Sequence, residues 1–150
     1  MVTIRVGIPD DAIDILRWRN DPQTRAMSWR GDAVDPADHM EWFSAAVTDQ
    51  EKIFLIGQIN GNNIGMIRFD ELIRDTKCWR ISIIIAPEYQ GLGYGICLLT
   101  QAIAYFHLKN PKIVLVAEVK KSNIASQRLF EKLGFSRVTS DDEGIEYLFS

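Results

Sequence analysis

Gln90-Gly91-Leu92-Gly93-Tyr94-Gly95 stands between an apolar run that ends near Ala86-Pro87 and a stretch carrying Ile96, Leu99, Ile103 and Phe106 at helical spacing. A strand that enters a helix through three alternating glycines is the junction on which the reading of this chain turns. Glycine lets a backbone turn sharply and come close to a ligand with no Cβ in the way. The first N–H groups of a helix have no partner inside it and lie at the positive end of its dipole. Such a junction is a ready seat for a phosphate or pyrophosphate. A tight strand-to-helix turn that binds nothing is the plainer alternative.

Downstream, Ile113 to Val119 is an apolar strand with β-branched residues. Trp79 to Val119 therefore reads as strand, crossover helix, strand, which implies a parallel pair. A second helix begins at Ser122 or Asn123, carries Ala125, Leu129 and Leu133, and stops at Gly134. Phe135 to Val138 and Ile145 to Phe149 read as a closing hairpin. Upstream, Ile53 to Ile59, Asn63 to Phe69 and Trp79 to Ile85 form an antiparallel meander. Its connections are the turn Asn60-Gly61-Asn62 and the loop Asp75 to Lys77.

The first strand is Thr3 to Ile8. Pro9, Asp10 and Asp11 open a helix with Ala12, Ile15 and Leu16 on one face, ending near Asn20-Asp21-Pro22 because proline disfavours helix before it. Gln23 to Val34 reads as irregular. Asp35-Pro36 then caps a helix with Met40, Phe43 and Val47 at helical spacing. The order β-α-α-β-β-β-α-β-α-β-β is an α/β pattern with a mixed sheet of about seven strands and four helices.

The 150 residues are 47% hydrophobic and 25% charged, which suits one domain spanning 1–150. A net charge of -3 gives no general affinity for nucleic acid. That average hides Arg17, Arg19, Arg25 and Arg30, among which Asp21 is the only acid. The group reads either as an anion site or as a solvated arginine-rich face. Cys78 and Cys97 lack metal-type spacing, and His39 and His107 have no ligand cluster around them, so no metal site is expected. With no signal peptide and no apolar run of membrane length, the expected location is cytoplasmic.

A P-loop is excluded, because no Gly-Lys-Ser/Thr run follows the glycines. Glu118 lies roughly where the ribose-binding acid of a dinucleotide fold would be. Against that reading, the spacing is G-x-G-x-G, and too little chain remains for a doubly wound sheet. The combination instead resembles the GNAT acetyltransferases. Their Gln/Arg-x-x-Gly-x-Gly/Ala loop is matched by Gln90, Gly93 and Gly95. Their second motif is matched by Asn123-x-x-Ser126-x-x-Leu129-Phe130-Glu131-Lys132-Leu133-Gly134-Phe135.

The resemblance implies a GNAT fold with a splayed parallel pair, acetyl-CoA as cofactor, and acyl transfer to an amine. The pantetheine arm would lie in the splay against the backbone of Ile83 and Ile85. Gln90, Gly91, Leu92, Gly93, Tyr94 and Gly95 would hold the pyrophosphate, with Asn123, Ser126 and Phe130 lining the arm. An N–H near Ile83 or Ile84 would stabilise the carbonyl oxygen. Glu118 occupies the place of a glutamate base in ribosomal-protein acetyltransferases of the family; a salt-bridged strand acid is the competing reading. Where many members have a tyrosine acid, this chain has Phe130, so protonation of the thiolate falls to Ser126, to water or to no residue.

Trp18-Arg19-Asn20-Asp21-Pro22 followed by His39-x-x-Trp42 is similar to the PseH-type amino-sugar-nucleotide acetyltransferases and, more loosely, to the RimJ/RimL type. By that resemblance Trp18, Arg19, Asn20, Arg30, His39 and Trp42 belong to the acceptor pocket. Trp42 in the core and His39 as a structural residue is the alternative. The expected partner is a small-molecule amine, with a sugar nucleotide foremost, and without nucleic acid or membrane; a homodimer is left open. A protein or small-amine acetyltransferase and a non-catalytic acyl-CoA sensor are the competing functions.

Overall fold

The computed structural model describes residues 1–73 and 77–150. Its strands are β1 (Val2–Val6), β2 (Lys52–Ile59), β3 (Asn62–Ile73), β4 (Cys78–Ile85), β5 (Val114–Lys120), β6 (Ser136–Ser140) and β7 (Gly144–Phe149). Its helices are α1 (Ala12–Asn20), α2 (Pro22–Met27), α3 (Pro36–Ala46), α4 (Tyr94–Lys109) and α5 (Ile124–Lys132). The sheet runs β1-β2-β3-β4-β5-β7-β6, and β4–β5 is its parallel pair. The connection read over Asp75 to Lys77 lies, but for Lys77, outside the described residues.

The α/β architecture is as the sequence implies, with one element added. Pro22 both ends α1 and opens α2, because Asp21 accepts from the Thr24 N–H at 3.1 Å as an N-cap. The stretch read as irregular after Pro22 thus begins with a short helix. Asp35 caps α3 in the same way, accepting from the Asp38 N–H at 3.1 Å. At the start of α1, buried Asp11 receives both Arg5 Nη atoms, at 2.8 and 2.6 Å, and the Ile8 N–H at 2.8 Å. This ties β1 to the helix that follows it.

The sheet separates two cores. On one face α4 packs Leu98, Leu99 and Phe106 against Leu55, Ile67 and Phe69, with the Phe69 and Phe106 rings stacked at 4.3 Å. Approach is close because β2 carries Gly57, where a Cβ would come within 2.1 Å of Leu98 Cδ2. On the other face α1 and α3 bury Ile15, Trp18 and Phe43 against Phe54, Ile56 and Met66. Among the described residues no helix is long and apolar enough to cross a membrane.

Candidate active site

β4 and β5 pair in register at Cys78–Val114, Trp79–Leu115 and Arg80–Val116, and no further. Beyond Arg80 the strands diverge. On its other edge β4 stays paired to β3 as far as Gly65–Ile85, and Ala86 N donates to Ile64 O at 2.8 Å. Strand alternation then turns the N–H and C=O groups of Ile84 toward β3 and those of Ile83 and Ile85 into the gap. The Ile85 carbonyl accepts from Gln90 Nε2 at 3.0 Å. Ile83 presents an edge with no strand opposite it.

The gap opens into a cleft of about 1080 Å³. Its floor is Ile83 to Ile85, its mouth is the Gln90–Gly95 loop, and α5 and α2 form its walls. Gly91 and Gly93 have φ of 74° and 85°, values that L side chains rarely adopt. Gly93 is the N-cap of α4 and supplies no side-chain acceptor, so the first N–H groups of a 16-residue helix open toward the cleft mouth. Gly95 acts by its size, since a Cβ there would stand 3.2 Å from Leu129 Cδ2, where α4 meets α5. Gln90 holds the loop to the end of β4 and lies 3.5 Å from Thr24 Oγ1 of α2.

On the α5 wall, Asn123 is the N-cap and accepts from the Ser126 N–H at 3.2 Å. Ser122, Asn123 and Ser126 line the cleft, and Arg128 and Lys132, one turn apart on α5, add two cations beside the glycine loop. At the rim, Arg17 pairs with Glu88 at 2.9 Å, which links α1 to the turn after β4.

The α1–α3 face of the sheet carries a second polar group. His39 is buried; its Nε2–H donates to Ala12 O at 2.7 Å, which leaves Nδ1 to accept from Arg19 Nη1 at 3.1 Å. Burial holds the His39 imidazole below its usual value, with Arg19 adding to the effect. The Arg19 and Arg68 guanidinium carbons lie 4.9 and 5.0 Å from the Trp42 ring centre. Burial, with Arg68 and Arg30 nearby, lowers Arg19 from the ordinary arginine value. Across the mouth of the splay, Glu118 Oε2 stands 3.8 Å from Arg80 Nη1, both half exposed. Trp29 donates to Glu118 O at 3.4 Å.

Residues 2–136 match the model of the acetyltransferase (GNAT) domain. The chain belongs to the GNAT acetyltransferase family. Among curated relatives, a Bacillus subtilis protein named for phosphinothricin acetyltransferase activity is 32% identical over 106 residues, 69% of this chain and 64% of that protein. Across the curated relatives, the matched part spans between 49% and 64% of their own length. Of solved structures, Salmonella typhimurium yncA, described as an acetyltransferase with its cofactor acetyl-CoA, aligns with a TM-score of 0.81 at 23% identity. It covers 99% of this chain and 93% of that one. Vibrio cholerae spermidine N-acetyltransferase in complex with CoA and spermine aligns with a TM-score of 0.84 at 20% identity, over 98% and 93% of the two chains.

Within this GNAT domain, Ile83, Ile84, Ile85, Gln90, Gly91, Gly93, Tyr94, Gly95, Asn123 and Ser126 all border one cleft. Two expectations need correction. Ile84 lines the cleft by its side chain, but its N–H faces β3 and is no oxyanion donor. Phe130 is buried between Phe135 and Tyr147 and leaves no surface for a cofactor. The Leu92 side chain projects outward, 63% exposed, so only its backbone is available to the loop's expected role. Glu118, expected as the base or as a salt-bridged strand acid, lies on the strand edge beside Arg80 and outside the cleft wall.

On the acceptor side, Trp18 has no exposed surface and His39 has 1%, so neither touches a ligand directly. Asn20 uses its amide on Val34, donating from Nδ2 at 3.0 Å and accepting at Oδ1 at 2.6 Å, and so pins the segment after α2. Arg19 and Trp42 remain partly accessible, and Arg30 is exposed. Sequence reasoning passed over Thr24 and Met27 of α2, Tyr89, Arg128 and Arg68. The signal for α2 was the Asp21-Pro22-x-Thr24 cap; for Arg68 it was a cation two residues from the buried Met66, on the same face of an apolar strand.

Proposed function

We propose that this GNAT domain transfers the acetyl group of acetyl-CoA to a primary amine. The observation that carries this reading is the end of β4–β5 pairing at Arg80–Val116, beside the unpaired edge of Ile83 and Ile85. An amide-bearing arm satisfies such an edge as a neighbouring strand would. The positive-φ glycines before α4 support a pyrophosphate seat, and Arg128 and Lys132 suit the remaining negative charge of the cofactor.

When bound, acetyl-CoA supplies the acetyl carbon and a thiol leaving group of pKa about 8.5, so one N–C bond forms, one C–S bond breaks and one proton is released from the amine. The Ile83 N–H is directed at the gap and suits the developing oxyanion. Glu118, at the strand edge, takes the proton from the amine, with Arg80 beside its carboxylate. Ser126, which lines the cleft, or water is the group we assign to protonating the departing thiolate.

The acceptor in this reading is an amine on an anionic small molecule, and an amino-sugar nucleotide is the form the Trp18–Pro22 and His39-x-x-Trp42 segments suggest. Arg19, Arg30 and Arg68 support the negative charge. A polyamine or a basic peptide would need carboxylates where this face has guanidinium groups. The test is thiol release from acetyl-CoA with UDP-amino sugars, amino acids, peptides and polyamines. Amine-dependent release supports transfer. Tight acetyl-CoA binding without release on any amine favours a sensor domain.

A further inference from the structure

The guanidinium groups of Arg19 and Arg68 gather on one indole, although like charges repel. Arg19 comes from α1, Trp42 from α3 and Arg68 from β3, and each is held by a separate contact. His39 is fixed by the Ala12 carbonyl and turns a bare Nδ1 to Arg19. Arg68 Nε lies 2.7 Å from Asp70 Oδ2, an ion-pair contact without the alignment of a hydrogen bond. Asp70 also takes Lys52 Nζ at 3.1 Å.

Asp70 thus answers two cations, while the partner of Arg19 is a neutral imidazole. The Arg68 side chain also leans over Phe54 of β2, with 5.4 Å to the ring centre. Two partly desolvated guanidinium groups on one aromatic platform, answered by a single carboxylate that Lys52 also shares, are costly unless a further anion completes them. Charge-assisted hydrogen bonds from such forks to a carboxylate or phosphate are among the strongest available to a protein.

The place of the pair in the sheet sets a distance. Arg68 faces Ser82 across β3–β4, and Ser82 is the second β4 residue past the last β4–β5 rung. Because Arg68 leans back over β2, its guanidinium is about two strand spacings, roughly 10 Å, from the gap where acetyl transfer occurs.

We propose that Arg19 and Arg68 form an oxyanion seat for the acceptor, which is therefore an amine bearing a carboxylate or phosphate roughly 10 Å from its nucleophilic nitrogen. The proposal rests on the acetyl-transfer reading. His39 is a positioning residue in it, acting through Arg19.

The test is a ruler. Thiol release from acetyl-CoA is measured with ω-amino carboxylates of three to ten carbons, with α,ω-diamines of the same lengths, and with a UDP-amino sugar. The seat predicts that kcat/KM among the amino carboxylates peaks at about six to eight carbons, at least tenfold above the matched diamine. Arg19→Gln and Arg68→Gln each raise KM for the best anionic acceptor by about 10- to 100-fold, with the CoA Kd unchanged. Arg19→Lys keeps the charge and loses the fork, and falls between. A UDP-amino sugar that outperforms the amino acids and loses affinity in the same variants identifies the oxyanion as a phosphate.

Direct binding of 6-aminohexanoate, by NMR titration of the wild type and Arg19→Gln, reads the seat without turnover. Loss of that binding in Arg19→Gln supports it. Diamines used as well as amino carboxylates, no dependence on chain length, or an unchanged KM in both arginine variants overturns it. Failure of CoA itself to bind removes acetyl transfer instead, and the 6-aminohexanoate titration still decides the seat.

Discussion

Arg80 and Val116 form the last rung between β4 and β5, and Glu118, one alternation further along β5, reaches back to Arg80 at 3.8 Å. The strand pair therefore opens at a point marked by an ion pair at its lip. The unpaired backbone lies just beyond, with a cleft on one side and the arginine-rich face on the other.

If Glu118 is the base, Glu118→Gln lowers kcat by about 10²- to 10⁴-fold and leaves the CoA Kd unchanged. Arg80→Gln removes the ion pair at the lip and lowers kcat by less than the Glu118 change, with the CoA Kd again unchanged. Steady-state rates and a CoA titration of each variant check both. An unchanged kcat in Glu118→Gln removes it as base.

Gly93 holds φ of 85° at the start of α4. Gly93→Ala costs about 1–2 kcal/mol of stability through the left-handed backbone alone. Gly93→Asp adds a negative charge at the proposed pyrophosphate seat and raises the CoA Kd by at least about 100-fold. Thermal melts and CoA titration separate the two effects, because the alanine variant carries the strain without the charge.

Gly57→Ala places a methyl group in the space of the fully buried Leu98. Overpacking of this kind costs about 1–3 kcal/mol, read as a lower urea midpoint at constant m. The substitution is remote from the cleft mouth, so CoA affinity per folded molecule is expected to hold.

His39 is held below its unfolded value, chiefly by burial. Its contribution to stability is therefore complete above the unfolded value of about 6.5 and is lost as pH falls through the folded value, with a slope of at most about 1.4 kcal/mol per pH unit. Urea melts from pH 7.5 down to 5, a window set by the ordinary histidine range, should show a steeper loss for wild type than for His39→Gln. Parallel slopes would mean that His39 does not titrate between the two states.

Much of this arrangement was legible because its signals are local. The alternating glycines sit beside two periodic segments, and Asn123 and Gly134 bracket α5, so the junction and its order could be read directly. Trp18 was legible as well. Ala12, Ile15 and Trp18 repeat every three residues and form one buried face, yet the neighbouring Arg19 and Asn20 drew the tryptophan into a supposed pocket. Pro22 reads from sequence as a stop for α1, although the same residue with Asp21 begins a helix.

The oxyanion seat was not legible for a different reason. Arg19, His39, Trp42 and Arg68 lie on three elements, and only the packing of α1 and α3 over β3 brings them together. Glu118 shows the same limit. Sequence spacing put it near the cofactor motif, whereas strand register decided that it faces Arg80 at the lip rather than the cleft wall.

The most direct measurement is a CoA titration followed by backbone amide NMR. Cofactor seated in the splay predicts saturable shifts at Ile83, Ile85 and the Gly93–Ile96 amides, with slowed exchange of the Ile83 N–H. Saturable CoA binding that leaves those amides unmoved, or no binding at millimolar CoA, the weak end of the affinity scale on the order of 4 kcal/mol, would contradict it.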